Sequence, residues 1–312
     1  MADAKKDKKE LMLVGGQAII EGVLMRSKER TAVAVRAESG RIITRKWVIR
    51  PLSEKVRPFK WPFVRGMGVL YETLVIGFKA LAFSANVAGG KDEKGRDVLG
   101  GKEMFLSFAV AIVLAIALFV AAPLFLANFF VKNNRFWFNV VDGVLRLLAF
   151  LGYLIFISFF KDVQRLFQYH GAEHMTIHAY EHSEQLLPQK IRKYPTMHPR
   201  CGTSFLLIVI IVSIFVFSLV NPEGFIPKLL SRIVLFPVIA GVSYELLRFG
   251  AKFEKNTFMR LLVFPGLLLQ RITTKEPDAG QIAVAVAALK AVLRNPNRQR
   301  PIGPSRNSDL GS

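Results

Sequence analysis

Apolar and polar positions fall into blocks of changing period along this chain. Thr31-Ala-Val-Ala-Val-Arg-Ala37 and Arg41-Ile-Ile-Thr-Arg-Lys-Trp-Val-Ile49 alternate on either side of Glu38-Ser-Gly40, which predicts a β-hairpin. Gly15-Gly-Gln-Ala-Ile-Ile-Glu21-Gly22 offers a further strand whose glycines permit close backbone approach. Residues 13–60 therefore read as a small β-containing region behind a Lys-rich tail, 1–12, expected to be disordered. From Trp61 to Val87 the period becomes helical, with Arg65, Glu72 and Lys79 recurring every seven residues on one stripe. That pattern predicts an amphipathic helix, lying on a membrane or packed against its spans. A span here is the rival reading, and it requires three charges to be satisfied inside the bilayer. A Gly- and charge-rich linker, Gly89 to Lys102, completes a 61–103 segment.

Met104 to Val131 is almost continuously apolar and exceeds the roughly 20 residues that cross a bilayer. Phe136 to Phe160 is the second such run, and within it Asp142 and Arg146 stand four apart, the spacing of a helical ion pair. Phe205 to Val220 and Leu229 to Leu247 supply the third and fourth; the third is short, and Cys201 to Ser204 can extend it. The chain thus reads as spans one and two over 104–160, a His- and Cys-bearing loop over 161–203, and spans three and four over 204–248. Amphipathic helices are expected over 249–294, comprising Phe258 to Ile272, interrupted at Pro265-Gly266, and Asp278 to Leu293. A disordered polar tail is expected over 295–312.

Composition supports segregation of membrane and charge: 52% of residues are hydrophobic, yet the net charge is +20. Lys and Arg number 21 in residues 1–103, 6 in 161–203 and 11 in 248–312, and the two short connections carry few. The positive-inside rule then places both termini and the histidine loop on the cytoplasmic side of the membrane, with basic faces toward anionic lipid. Met1 to Glu10 is a charged tail, and the stretch after it is broken by Gly15-Gly16 and Glu21, so no secretory signal is read there. The single Cys201 forms no internal disulfide. Neither a nucleotide-binding Gly-rich loop nor an RNA-reading motif with stacked aromatics is present, which argues against sequence-specific nucleic-acid binding.

The densest chemistry is His170-Gly-Ala-Glu-His174. Histidines four apart on a helix share a face and can reach one cation, while Glu173 beside them can accept a proton. His170, His174, His178 and His182 follow at four-residue steps, and the fifth histidine lies in His198-Pro-Arg-Cys201. His170, His174, His198 and Cys201 fit tetrahedral zinc. All four together would close a structural site, whereas leaving His198 or Cys201 free would open a catalytic one. Against this stands the plain alternative that helical histidines cap or hydrogen-bond a core. Arg200 could clamp an anion or pair with Glu181. Glu245 has Arg248 within helical reach and is otherwise a further ligand candidate, as are Glu21 and Glu276.

Gly15-Gly-Gln-Ala-Ile-Ile-Glu21-Gly-Val-Leu-Met-Arg26, Tyr169-His-Gly-Ala-Glu-His174, His198-Pro-Arg-Cys-Gly-Thr-Ser204 and Glu276-Pro277 together resemble the YqhQ-like family of bacterial membrane proteins, a domain of unknown function sometimes labelled a predicted metal-dependent enzyme. By that resemblance His170, Glu173, His174, Glu181, His198, Arg200 and Cys201 occupy family motif positions, and His178 and His182 depart from the pattern. The expectation is a polytopic α-helical membrane protein with about four transmembrane helices, a small β-containing cytoplasmic region and amphipathic helices. Its function would be metal-dependent hydrolysis at the inner membrane surface, with Glu173 catalytic. The alternative is a non-enzymatic scaffold or biogenesis factor, associated with lipid, translocon or ribosome, whose metal only fastens the loop.

Overall fold

A computed structural model describes residues 14–28, 30–49, 51–90, 101–131, 134–220, 222–252 and 257–293. The predicted tails, and most of the predicted 89–102 linker, lie outside these residues. Four antiparallel strands, β1 (Gly15–Ile19), β2 (Gly22–Arg26), β3 (Arg30–Arg36) and β4 (Ile42–Val48), form one sheet in chain order. The hairpin read from 31–49 is β3–β4, with Arg36 opposite Ile42. The Gly15–Gly22 stretch is β1 turning into β2 through Ile20-Glu21, where Glu21 takes a positive φ of 50°.

The helices are α1 (Leu52–Lys55), α2 (Val64–Ala88), α3 (Gly101–Ile116), α4 (Ala122–Phe130), α5 (Arg135–Ser158), α6 (Lys161–Glu181), α7 (Pro188–Ile191), α8 (Thr203–Leu219), α9 (Phe225–Val234), α10 (Phe236–Lys252), α11 (Thr257–Thr273) and α12 (Ala279–Leu293). A π-helical turn, Ala117–Ala121, joins α3 to α4 without a break. Three helical stretches among the described residues are long and apolar enough to cross a membrane: Val64–Ala88, Gly101–Phe130 and Arg135–Ser158. Counting α9 and α10 as one broken span, bent by 45°, gives four. Large apolar side chains stand exposed along them, among them Phe105, Val113, Phe129, Phe156 and Leu230, a surface that lipid would cover and water would not favour.

The predicted third span corresponds to α8, whose 17 residues rise only about 26 Å, short of a hydrocarbon core of about 30 Å. Helix α2 has span-like length and hydropathy, and two of its three charges meet partners that the sequence pattern does not reveal. Glu72 is buried and accepts from Arg26 and from the backbone N–H of Leu52. Arg65 Nε lies 2.6 Å from Glu245 Oε1 on α10. The two helices approach closely where Gly66 meets Gly241, since a Cβ on Gly66 would lie 2.9 Å from the Gly241 Cα. The fourth span is broken next to Pro237, which has no N–H to continue the helical ladder. Asp142 pairs with Arg146 at 3.1 Å as the spacing predicts, and also with Arg232 of α9 at 3.3 Å. Asn139 Oδ1 accepts a further bond from Arg232 at 2.7 Å.

The central strands β2 and β3 are buried on both faces, whereas β4 is largely exposed. Alternation along β3 sends Ala32 and Ala34 one way and Val33 and Val35 the other, and all four are fully shielded. The first face, with Val23 and Met25, packs against Met175 and Ala179 of α6 and against Ile282, Ala285 and Leu289 of α12. The second, with Ile19 and Leu24, packs on Ile76 and Ala80 of α2. Small residues on the first face let α12 lie close to the sheet. That helix, Ala- and Val-rich on every side, is mostly buried rather than amphipathic, as its all-round apolar sequence requires. Its start is fixed by a reciprocal cap: Gln281 N–H donates to Asp278 Oδ1 (2.7 Å) and Asp278 N–H to Gln281 Oε1 (2.9 Å).

Candidate functional site

Helix α5 ends at Ser158, and Gln164 Nε2 donates to the Ser158 carbonyl at 3.0 Å across the break at Phe159-Phe160 before α6 resumes. A straight continuation of the span would carry His170 about 15 Å beyond the hydrocarbon edge. The break removes that extrapolation, and α6 lies against β1 and α12. His170 Nε2 is 3.4 Å from Cys201 Sγ, two residues before α8 begins.

The His-x-x-Glu-His segment is helical, and its glycine has a steric reason. A Cβ on Gly171 would stand 2.1 Å from the Lys275 carbonyl oxygen, so only glycine lets the 273–275 strand of chain press on this turn of α6. That contact brings the Thr273 carbonyl to His170 Nδ1 at 2.8 Å, while the Thr196 carbonyl meets His174 Nδ1 at 2.5 Å. A carbonyl can only accept, so each Nδ1 carries the proton and each Nε2 keeps a lone pair, as metal-ligating histidines are oriented elsewhere. One ligand atom each from His170, His174 and Cys201 lies within 4.8 Å of the others, a group that could hold a metal ion.

In the metal-free site, burial favours the neutral forms of His174, Cys201 and Glu173. Burial, helped by neighbouring His170, drives His174 down to about 2, against the pull of the Thr196 carbonyl, so its ring is neutral. Burial also raises the Cys201 thiol, opposed by the backbone and hydroxyl donors of Thr203, whose N and Oγ1 lie 3.5 and 3.4 Å from the sulfur. Glu173 is buried, and desolvation pushes its carboxyl up to about 8, opposed by His170, reinforced by Cys201 and opposed again by the Gly16 N–H. Gly16 is obligatory there, since a Cβ would sit 2.7 Å from Glu173 Oε1 and from the Leu24 carbonyl oxygen. These groups open onto one cavity of about 530 Å³, walled by Gly15 and Gly16 of β1, Leu166 and Ile177 of α6, and Leu206 of α8.

The remaining predicted residues divide. His198 does not join the first three ligands: its Nε2 faces Glu181 Oε2 at 3.4 Å, and its group comprises His178 and Glu181. Arg200 also pairs with Glu181. Glu21 ties the β1–β2 turn to α6, meeting Arg165 Nη2 at 2.6 Å and accepting from the Tyr169 hydroxyl at 3.1 Å. Glu245 is engaged by Arg65 across to α2 rather than serving the cavity, and Glu276 is exposed and does not line it. No motif or spacing along the chain points to Gln270. Wholly buried, its Oε1 accepts from His198 N (2.7 Å) and its Nε2 donates to His198 O (3.0 Å), clamping that loop to α11.

The chain belongs to the family described as a protein of unknown function, DUF1385, which matches residues 61–295. It is 35% identical over 295 residues to the uncharacterized protein YqhQ of Bacillus subtilis (strain 168), covering 90% of this chain and 92% of that relative. No solved structure matches it.

Proposed function

We propose that this chain is an integral membrane protein that binds zinc at His170, His174 and Cys201 and catalyses a hydrolysis at the cytoplasmic membrane surface. The observation that carries the reading is the convergence of these three donors beside buried Glu173 in one cavity, with both Nδ1 atoms held by carbonyls. Two imidazoles and a thiolate suit zinc, and three protein ligands leave one position open, as catalytic zinc sites do. The pairing of His198 with Glu181 favours this open set over the closed four-ligand one. Zinc held there would supply a Lewis acid. With a cation bound nearby to favour its ionised form, Glu173 would take a proton from the attacking water and return it to the leaving group, the Gly16 N–H stabilising the carboxylate. The cytoplasmic placement rests on the distribution of Lys and Arg, and the same basic faces would engage anionic lipid.

The test is elemental mass spectrometry of the full chain purified in detergent without a His tag. We expect zinc that depends on Cys201, lost in both His170→Ala and Cys201→Ser. Retention of all zinc in both variants would overturn the reading. Glu173→Gln separates an enzyme from a scaffold: the enzyme keeps its metal and loses function in cells, whereas a scaffold with a structural metal keeps both.

A further inference from the structure

We propose that the loop carries a second, separate cation site formed by His178, Glu181 and His198, which takes a first-row divalent cation such as zinc or cobalt. One ligand atom from each of the three lies within 4.8 Å of the other two. His170, His174, His178 and Glu181 fall at intervals of four, four and three residues, so they form one stripe along α6. The 196–203 segment runs beside that stripe, and it serves each site in the same way. The Met197 carbonyl meets His178 Nε2 at 2.9 Å, one residue after Thr196 performs the same duty for His174.

Three features mark the second group as a ligand set rather than a stack of polar side chains. First, His198 Nδ1 accepts the Arg200 N–H at 3.2 Å, so the neutral ring carries its proton on Nε2, directed at Glu181 Oε2. A cation would replace that proton. Second, the Nε2 to Oε2 separation is 3.4 Å, close to the edge of about 3.4 Å between donors bound tetrahedrally at about 2.0–2.1 Å. Third, the donors are fixed from behind: Arg200 holds the other oxygen of Glu181, and Gln270 grips both the N–H and the carbonyl of His198. The ring centroids of His178 and His198 are 4.4 Å apart and those of His174 and His198 5.8 Å, so the two groups adjoin while sharing no ligand. The second offers two nitrogens and an oxygen and no sulfur.

That difference provides the test. The full chain in detergent is loaded with cobalt, total metal is measured by elemental mass spectrometry, and thiolate-to-cobalt absorption reports the Cys201 group alone. We expect about two equivalents per chain, falling to about one in His178→Ala and in Glu181→Gln with the thiolate absorption unchanged, which also shows that both variants are folded. An unchanged total in both variants would overturn the second site. One equivalent that vanishes in Cys201→Ser but not in His178→Ala would do the same and leave the first site standing. One equivalent without thiolate absorption, lost in His178→Ala, would support the second site and sink the first.

Discussion

Replacing Gly171 with Ala sets two effects of opposite sign against each other. In an isolated helix the change stabilises by about 1 kcal/mol, because alanine has the better helix propensity. Here the new methyl would lie 2.1 Å from the Lys275 carbonyl oxygen and 3.3 Å from Thr196 Cγ2. The 273–275 segment must therefore retreat by about 1 Å to regain van der Waals distance. Two contacts depend on its position: Lys275 N–H donating to the Phe167 carbonyl at 3.0 Å, and His170 Nδ1–H donating to the Thr273 carbonyl at 2.8 Å. At about 1 kcal/mol for each hydrogen bond, plus residual crowding, the loss exceeds the propensity gain. The expected outcome is a net destabilisation of about 1–3 kcal/mol. Chemical denaturation of the metal-free chain in detergent, followed by tryptophan fluorescence, reads this directly and excludes any contribution from altered metal binding. A variant as stable as wild type, or more so, would refute the claim that glycine is required by the approach of the 273–275 segment.

Two further outcomes follow from the ion pairs. Burial raises the Glu21 carboxyl, but the hydrogen bonds and charge of Arg165, with Tyr169 and Arg36, outweigh it and leave the group below its ordinary value. A depressed carboxylate stabilises the fold above its unfolded pKa of about 4.3 and loses that contribution as pH falls through the folded value. The stability difference between wild type and Glu21→Gln should therefore be flat near neutrality and shrink on acidification, and a difference that grows in acid would contradict the pairing. Asp142→Asn removes the carboxylate from between the shielded guanidiniums of Arg146 and Arg232. We expect a loss of about 3–5 kcal/mol in the same denaturation assay, and near-neutrality would show that the buried cluster is not held by charge.

What could be read from sequence was local. The runs at 104–131 and 136–160 are apolar at every turn, and the period of two at 31–49 needs no partner to be visible. The helical His-x-x-Glu-His face is likewise a matter of spacing. What escaped depends on pairs distant along the chain. Glu72 looks like an obstacle to membrane burial until Arg26, 46 residues earlier, is placed beside it. Glu245 suggests Arg248 until Arg65, 180 residues earlier, is seen to hold it. The carbonyls that orient the histidines belong to Thr196, Met197 and Thr273, and backbone acceptors leave no compositional trace. Sorting His198 toward Glu181 rather than Cys201 likewise needed the path of the 196–203 segment.

The sheet carries a consequence for how the chain is made. Strands β2 and β3 leave the ribosome before any of the long helices, yet the helix that covers one of their faces, α12, begins only at Ala279, more than 200 residues later. Every apolar helix must be synthesised in between. Until α12 arrives, Val23, Met25, Ala32 and Ala34 have an unfinished wall, and ordering so long a loop before its closing contact is entropically slow. The C-terminal helix is thus the latch of the amino-terminal sheet. A ribosome halted before Ala279 should leave a nascent chain whose long apolar helices are complete and whose strands β2 and β3 remain open to protease or chaperone.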